Sequence, residues 1–277
     1  MGTFHQQIGA NALGRDFVVG DLHGCLQLLQ AALARLEFDP TQDRLFSVGD
    51  LIDRGPDSFG CLRLLREPWF FAVIGNHEDM LLSYFRQRDS TYHSPSDLLR
   101  NGGRWVQDLN KQEADELTND LVPRLLTLPY VITVGDGAGK FHVAHAELMT
   151  GHVEEGLWLA LQGLPVNGNS KRLLNDKTIT DKVLSNMVAS LTWGRRLVKE
   201  IKAMSSTEMD TPIGTLRLSD QPWRPGLSLT YVGHTVMRTM ALHRSHLFID
   251  RGVYTGIPET QLLVLKHQDV VEALANI

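Results

Sequence analysis

Short apolar runs alternate along the first half of the chain with stretches whose apolar residues fall at helical spacing. Phe17-Val-Val19 has the character of a strand and runs into Gly20-Asp-Leu-His-Gly24. From Cys25 to Leu36 the apolar positions are 25, 28, 29, 32, 33 and 36, which line one face of a helix. Leu45-Phe-Ser-Val48 repeats the strand pattern, ends at Gly49-Asp50 and precedes a helix over Ser58 to Arg66. Trp69 to Ile74 does the same, ending at Gly75-Asn-His-Glu78, with a helix expected from His77 to Arg88. Strand–loop–helix units in this rhythm predict an α/β fold with adjacent parallel strands.

Further along, Ser90 to Thr127 has a helical pattern broken at Asn101-Gly-Gly103. Tyr130 to Val134 and Lys140 to Ala144 pair as a hairpin across a glycine-rich turn. Residues 146–226 are irregular, apart from a helix over Ile179 to Leu191. Strand patterns return at Leu229 to Val232, Thr239 to His243, His246 to Ile249 and Leu262 to Leu265. No lapse in the hydrophobic pattern marks a linker. The expected organisation is a flexible N-terminus over 1–14, then a single domain over 15–277 carrying an insertion at about 146–226.

Composition narrows the function classes. The 277 residues are 43% hydrophobic and 21% charged, in the range of an ordinary globular chain. Lys and Arg number 27 against 32 Asp and Glu, so the net charge of −5 argues against a nucleic-acid partner. Cys25 and Cys61 are too few for a disulfide framework and point to a reducing compartment. No apolar run approaches the ~18–20 residues of a membrane span, and residues 1–14 carry no secretory pattern. The expectation is a cytoplasmic protein with no membrane partner.

The chemistry concentrates at strand ends. Three early strands close on a glycine followed by a side chain able to hold a metal: Asp21 with His23, then Asp50, then Asn76. Two later strands deliver His145 and His234. Ligands of α/β proteins gather at the carboxyl ends of strands, so these six side chains are expected in one place. Any one such segment alone is ordinary turn chemistry, but their recurrence is not. A mixed oxygen and nitrogen set suits two divalent metals such as Mn²⁺, Fe or Zn²⁺, with Asp50 placed to bridge them.

Gly20-Asp-Leu-His-Gly24, Gly49-Asp-Leu-Ile-Asp-Arg-Gly55 and Gly75-Asn-His-Glu78 resemble the three signature motifs of the phosphoprotein phosphatase family of metallophosphoesterases. Asn101-Gly-Gly103 before Trp105, Trp193-Gly-Arg195 and Gly233-His-Thr235 add weaker matches. The resemblance implies a sandwich of two mixed β-sheets flanked by helices. It implies that Asp21 and His23 bind a first metal, that Asp50 bridges, and that Asn76, His145 and His234 complete a second. The two ions would be Mn²⁺, with Fe, Zn²⁺ or Ni²⁺ as alternatives. Arg54 and Arg195 would hold phosphate oxygens, and His77, oriented by Asp53, would protonate the leaving group.

The implied activity is hydrolysis of phosphoserine or phosphothreonine, with phosphotyrosine as an alternative, by in-line attack of a hydroxide bridging the metals. The substrate would be a phosphorylated protein or a small phosphoester. Two alternatives stand beside it: a symmetrical diadenosine tetraphosphate hydrolase and a catalytically silent metal-binding regulatory module. Relatives of the first kind tend to lack the aspartate that Asp53 represents. Glu147 and Arg251 depart from the family's usual residues and have no assigned role.

Overall fold

The computed structural model describes residues 4–85, 94–148, 181–257, 261–275 and 277. In chain order the first elements are β1 (His5–Ile8), β2 (Asp16–Val19), α1 (Leu26–Arg35), β3 (Arg44–Ser47), α2 (Ser58–Arg63), β4 (Phe70–Ala72) and α3 (Asn76–Tyr84). There follow α4 (Pro95–Arg100), α5 (Lys111–Glu116), α6 (Val122–Leu125), β5 (Val131–Val134), β6 (Phe141–Ala144), α7 (Asp181–Trp193) and α8 (Arg196–Ala203). The remainder is β7 (Ser206–Thr211), β8 (Gly214–Ser219), β9 (Leu229–Val232), β10 (Met240–His243), β11 (His246–Phe248), β12 (Val264–Lys266) and α9 (His267–Leu274). Among the described residues no helix is long and apolar enough to cross a membrane.

The strands form two mixed sheets flanked by helices. One runs β1-β5-β6-β9-β11-β10-β8-β7 and the other β12-β2-β3-β4. In the smaller sheet β2, β3 and β4 are parallel, as the strand–loop–helix rhythm predicts, and β12 joins antiparallel. Alternate residues serve different cores. Val18 and Phe46 pack with Ile132, Phe141 and Tyr231 of the larger sheet, whereas Phe17, Val19 and Leu45 pack with Leu29 of α1 and Leu62 of α2. A strand covered on both faces reads as an unbroken apolar run, which is how these strands appear in the sequence. Phe46 ties the sheets together, stacking on Phe71 at 5.2 Å and meeting Phe141 edge-on at 5.7 Å.

Two regions differ from expectation. The segment 1–14, expected to be flexible, holds β1, which pairs in parallel with β5 while Phe4 packs on Tyr130. Its sequence, His-Gln-Gln-Ile, has no apolar alternation, because backbone bonds and Phe4 anchor it. Within the expected insertion, 206–219 is not irregular: β7 and β8 form an antiparallel hairpin at the edge of the larger sheet. The edge strand Ser206–Thr211 is mostly exposed and so lacks a hydrophobic period. Nor is 181–203 peripheral. Met187, Leu191, Leu197, Val198 and Ile201 share a core with Val131, Ala144, Val232 and Phe248. Residues 149–180 of the insertion, the 86–88 end of the expected third helix, His93 and His152 lie outside the described residues.

Candidate metal centre and phosphate site

Strand ends deliver the side chains to one place. Asp21 and His23 follow β2, Asp50, Asp53 and Arg54 follow β3, Asn76 and His77 follow β4, His145 follows β6 and His234 follows β9. The chain must turn sharply after each strand to aim them. His23, Asp50, Asp53, Arg54 and His234 all have positive φ, between 42° and 72°. For non-glycine residues this is the sparsely populated left-handed region. Gly233 allows the closest approach, since a Cβ there would collide with the Asp21 carboxylate and with Val48.

Asp50 is the hub. His23 Nε2, Asp50 and His77 Nε2 form one compact group of donor atoms, and Asp50, His145 and His234 form a second. His23 Nε2 lies 3.6 Å and His145 Nε2 3.4 Å from the Asp50 carboxylate. Asp21 sits 4.0 Å from His23 Nε2 and accepts from the His234 backbone N–H. Asn76 Oδ1 is 2.9 Å from both His145 Nε2 and His234 Nδ1. Thus all six expected ligands come together, while the compact groups contain His77 and not Asp21.

The donor chemistry fits divalent cations. His23 Nδ1 donates to the Ile52 carbonyl and His145 Nδ1 to the Val48 carbonyl, each at 2.8 Å. Those bonds fix the tautomers and turn the Nε2 lone pairs toward Asp50. Burial lowers His23 and His234 to about 3, so both imidazoles are neutral and ligand-competent. Burial, Asp250 and Asp50 push Asp21 well above the usual carboxylate range, a crowding that a cation would relieve. Burial alone would raise Asp50, but the histidines around it outweigh that and hold it low.

His77 stands apart from the other imidazoles. Its Nδ1 donates to Asp53 Oδ2 at 2.6 Å, and its buried Nε2 has no hydrogen-bond partner among the described residues. Burial opposes its charge, yet Asp50 and the Asp53 bond prevail and raise it above the ordinary imidazole value. Asp53 also accepts from Trp105 Nε1 at 2.7 Å. Both arginines reach the centre. Arg54 Nη1 is 2.7 Å from His23 Nε2, and Arg195 Nε is 3.3 Å from His234 Nε2. Guanidinium pairs suit bidentate binding of phosphate oxygens.

Three further residues shape the site without having been singled out. Glu78 accepts from the backbone N–H groups of Asp50, Leu51 and Gly75, and burial raises it to about 7. It stitches the second motif to the third, and its place inside Gly75-Asn-His-Glu78 was the available signal. Tyr254 lies under the Arg54 guanidinium, 4.6 Å from ring centroid to Cζ, and Asp250 crowds Asp21. Nothing local in the sequence marks Tyr254. The other histidines among the described residues have structural partners: His5 and His142 bond Thr133, His243 bonds Ser219, His246 accepts from Leu148 N–H, and His267 bonds Tyr231. Cys25 is the buried residue before α1, and Cys61 is buried in α2.

Comparison with known proteins gives consistent neighbours. The family described as Calcineurin-like phosphoesterase matches residues 17–204. Serine/threonine-protein phosphatase 2 of Escherichia coli (strain K12) is 44% identical over 145 residues, which is 52% of this chain and 64% of that protein. The chain therefore aligns with less than two thirds of this relative's length. Bis(5'-nucleosyl)-tetraphosphatase, symmetrical, of Pseudomonas syringae pv. tomato is 42% identical over 104 residues, 36% of this chain and 32% of that protein. Among solved structures, a cold-active protein tyrosine phosphatase superposes with a TM-score of 0.51 at 15% identity, covering 95% of this chain and 75% of that one. This last likeness is one of fold.

Proposed function

The chain belongs to the calcineurin-like phosphoesterase family, and from that premise we propose that it is a metal-dependent phosphomonoester hydrolase acting on phosphoserine and phosphothreonine. Asp21 and His23 would hold one divalent ion, Asn76, His145 and His234 a second, and Asp50 both. Mn²⁺ is the expected occupant, and Fe, Zn²⁺ or Ni²⁺ suit the same donors. Bound there, two such ions would acidify a water and neutralise charge on the phosphoryl oxygens. The protein's own groups do the rest. Arg54 reaches toward His23 and Arg195 toward His234, and both clamp phosphoryl oxygens. His77 gives a proton from Nε2 to the departing oxygen, while Asp53 holds Nδ1 and supports the imidazolium.

The observation that carries this proposal is the buried Asp53–His77 pair with its Nε2 aimed into the donor cluster. An alkoxide leaving group needs that proton. Hydrolysis of a dinucleoside tetraphosphate releases a far less basic phosphate and does not need it. The tetraphosphatase relatives favour that second activity, and a rate panel separates the two. With Mn²⁺ present, kcat/KM for a phosphoserine peptide and for p-nitrophenyl phosphate should exceed that for diadenosine tetraphosphate. The reverse order would transfer the assignment to dinucleotide hydrolysis. Failure to cleave all three would revive the silent regulatory module.

A further inference from the structure

The route by which Arg195 reaches the centre is unusual. It lies 39 positions before His234 in sequence, and its Nε still comes within 3.3 Å of His234 Nε2. Arg195 sits at the kink between α7 and α8, as the residue that precedes α8. An arginine side chain is long and floppy, so its guanidinium is placed only as well as that kink is fixed.

The segment that fixes it comes from the other side of the site. After His145, the Ala146 N–H donates to the Leu191 carbonyl at 2.8 Å and the Glu147 N–H to the Ser190 carbonyl at 3.2 Å. These are carbonyls at the end of α7. The Glu147 side chain then turns to the start of α8. It accepts from the Leu197 N–H at 2.5 Å, in the first turn of α8. A carboxylate on the first free N–H groups of a helix satisfies donors and the helix dipole together. Glu147 is buried, so this bond is shielded from water. Gly194 lets the kink close, because a Cβ there would press on the Ser190 carbonyl and on Glu147 Cβ and Cγ. Further along α8, Glu200 binds His243 Nε2 at 3.0 Å and Arg244 Nε at 3.2 Å. That contact keeps α8 docked independently of Glu147.

We propose that Glu147 is a positioning residue that references the Arg195 kink to the His145 loop, so that the guanidinium meets the phosphoryl group held at the same centre. The proposal rests on Arg195 being a phosphate ligand. Loss of Glu147 leaves α8 anchored through Glu200 and frees only the end that carries Arg195. A misplacement of about 1 Å in such a clamp can cost about 100-fold in rate.

The test uses the Mn²⁺-loaded full chain and a double-mutant cycle of Glu147→Ala and Arg195→Ala, read with p-nitrophenyl phosphate and with inorganic phosphate as competitive inhibitor. Arg195→Ala should lower kcat/KM and raise the phosphate Ki about 10-fold or more. Glu147→Ala should do the same with unchanged metal content. The double variant should be no worse than Arg195→Ala within about 2-fold, because one interaction is being removed twice. Glu147→Gln, which keeps an acceptor oxygen, should recover most of the loss. Gly194→Ala moves the kink without deleting a polar group, so it should repeat the Glu147→Ala pattern even where that variant folds poorly. Multiplying losses, or an unchanged Ki in both Glu147→Ala and Gly194→Ala, would overturn the positioning role and leave Arg195 as assigned. An Arg195→Ala variant with normal Ki and kcat/KM would remove Arg195 from phosphate binding and Glu147's role with it.

Discussion

Replacing His77 with Asn separates proton donation from everything else this imidazole touches. In the structure Nδ1 is committed to Asp53 at 2.6 Å, so Nε2 is the nitrogen left to deliver a proton. Nε2 is buried, without a hydrogen-bond partner among the described residues, and 3.9 Å from Asp50 Oδ2. Asparagine is smaller and cannot act as an acid near neutral pH. General acid catalysis contributes about 10²–10⁴-fold, and each factor of ten is about 1.4 kcal/mol of barrier. His77→Asn should therefore cost a phosphoserine peptide about 3–5 kcal/mol of transition-state stabilisation. For p-nitrophenyl phosphate, whose leaving group departs as a stable phenolate, the loss should stay within about 10-fold.

The assay is kcat/KM for both substrates, with bound metal quantified on the same preparations. Asp53→Asn should show a milder form of the same split, because it weakens the orientation and charge support of His77 without removing the imidazole. Equal losses for the two leaving groups at unchanged metal content would refute the acid role. So would a drop in bound metal, since His77 Nε2 also belongs to a compact donor group with His23 and Asp50. In that case the imidazole is a ligand.

Two other perturbations probe the site and the fold independently. Chelation should abolish phosphoester hydrolysis, and Mn²⁺ should restore it at least as well as Mg²⁺, because three imidazoles stand among the six expected ligands; full activity in protein assayed as metal-free would exclude the dimetal assignment. On the fold side, burial, then Lys140, His5 and His246, lower His142 to about 3. It is neutral in the folded state, whereas the unfolded chain takes up a proton below about pH 6.5. Stability is thus complete above that value and falls as the pH drops toward 3, by roughly 2–3 kcal/mol between pH 7 and 4.5. His142→Gln retains a bond to Thr133 and removes the titration, so urea unfolding at the two pH values should show a smaller difference, and an unchanged difference would clear His142 of the effect.

The sequence made the candidate metal ligands legible because each is carried within a few residues of a strand that is itself conspicuous. β2 and β3 are buried on both faces, so they stand out as apolar runs, and the glycine-flanked Asp, His and Asn follow at once. What surrounds those ligands was not legible for the opposite reason. Trp105 meets Asp53 across 52 positions, Glu147 meets Leu197 across 50, and Tyr254 reaches Arg54 from the far end of the chain. No local period encodes such contacts: Trp105 stood beside a weak motif match and Glu147 stood out only as a departure, and neither showed which residue it would meet. β1 was missed for a related reason, since an edge strand held by backbone bonds needs no side-chain alternation.

The same contrast explains how the site keeps its shape. Of the eight non-glycine residues with positive φ among those described, five are expected site residues. Each such conformation costs on the order of 1–3 kcal/mol and persists only where its surroundings over-determine it. Here the restraints are bonds from backbone to buried side chain. Glu78 takes three backbone N–H groups from the Asp50 and Asn76 loops, and Asp50 Oδ1 accepts the His77 N–H at 3.0 Å. Asp53 N–H donates to Ser58 Oγ at 2.8 Å, and Asp21 holds the His234 N–H. Glu78 thus ties the Asp50 loop to the Asn76 loop and Asp21 ties the β2 loop to the β9 loop, while Ser58 pins Asp53 within its own loop. The geometry of the candidate ligands is set by the fold itself, through contacts between motifs as well as within them. That is why three short motifs suffice to identify the centre, while the residues that aim it emerge only once the chain is folded.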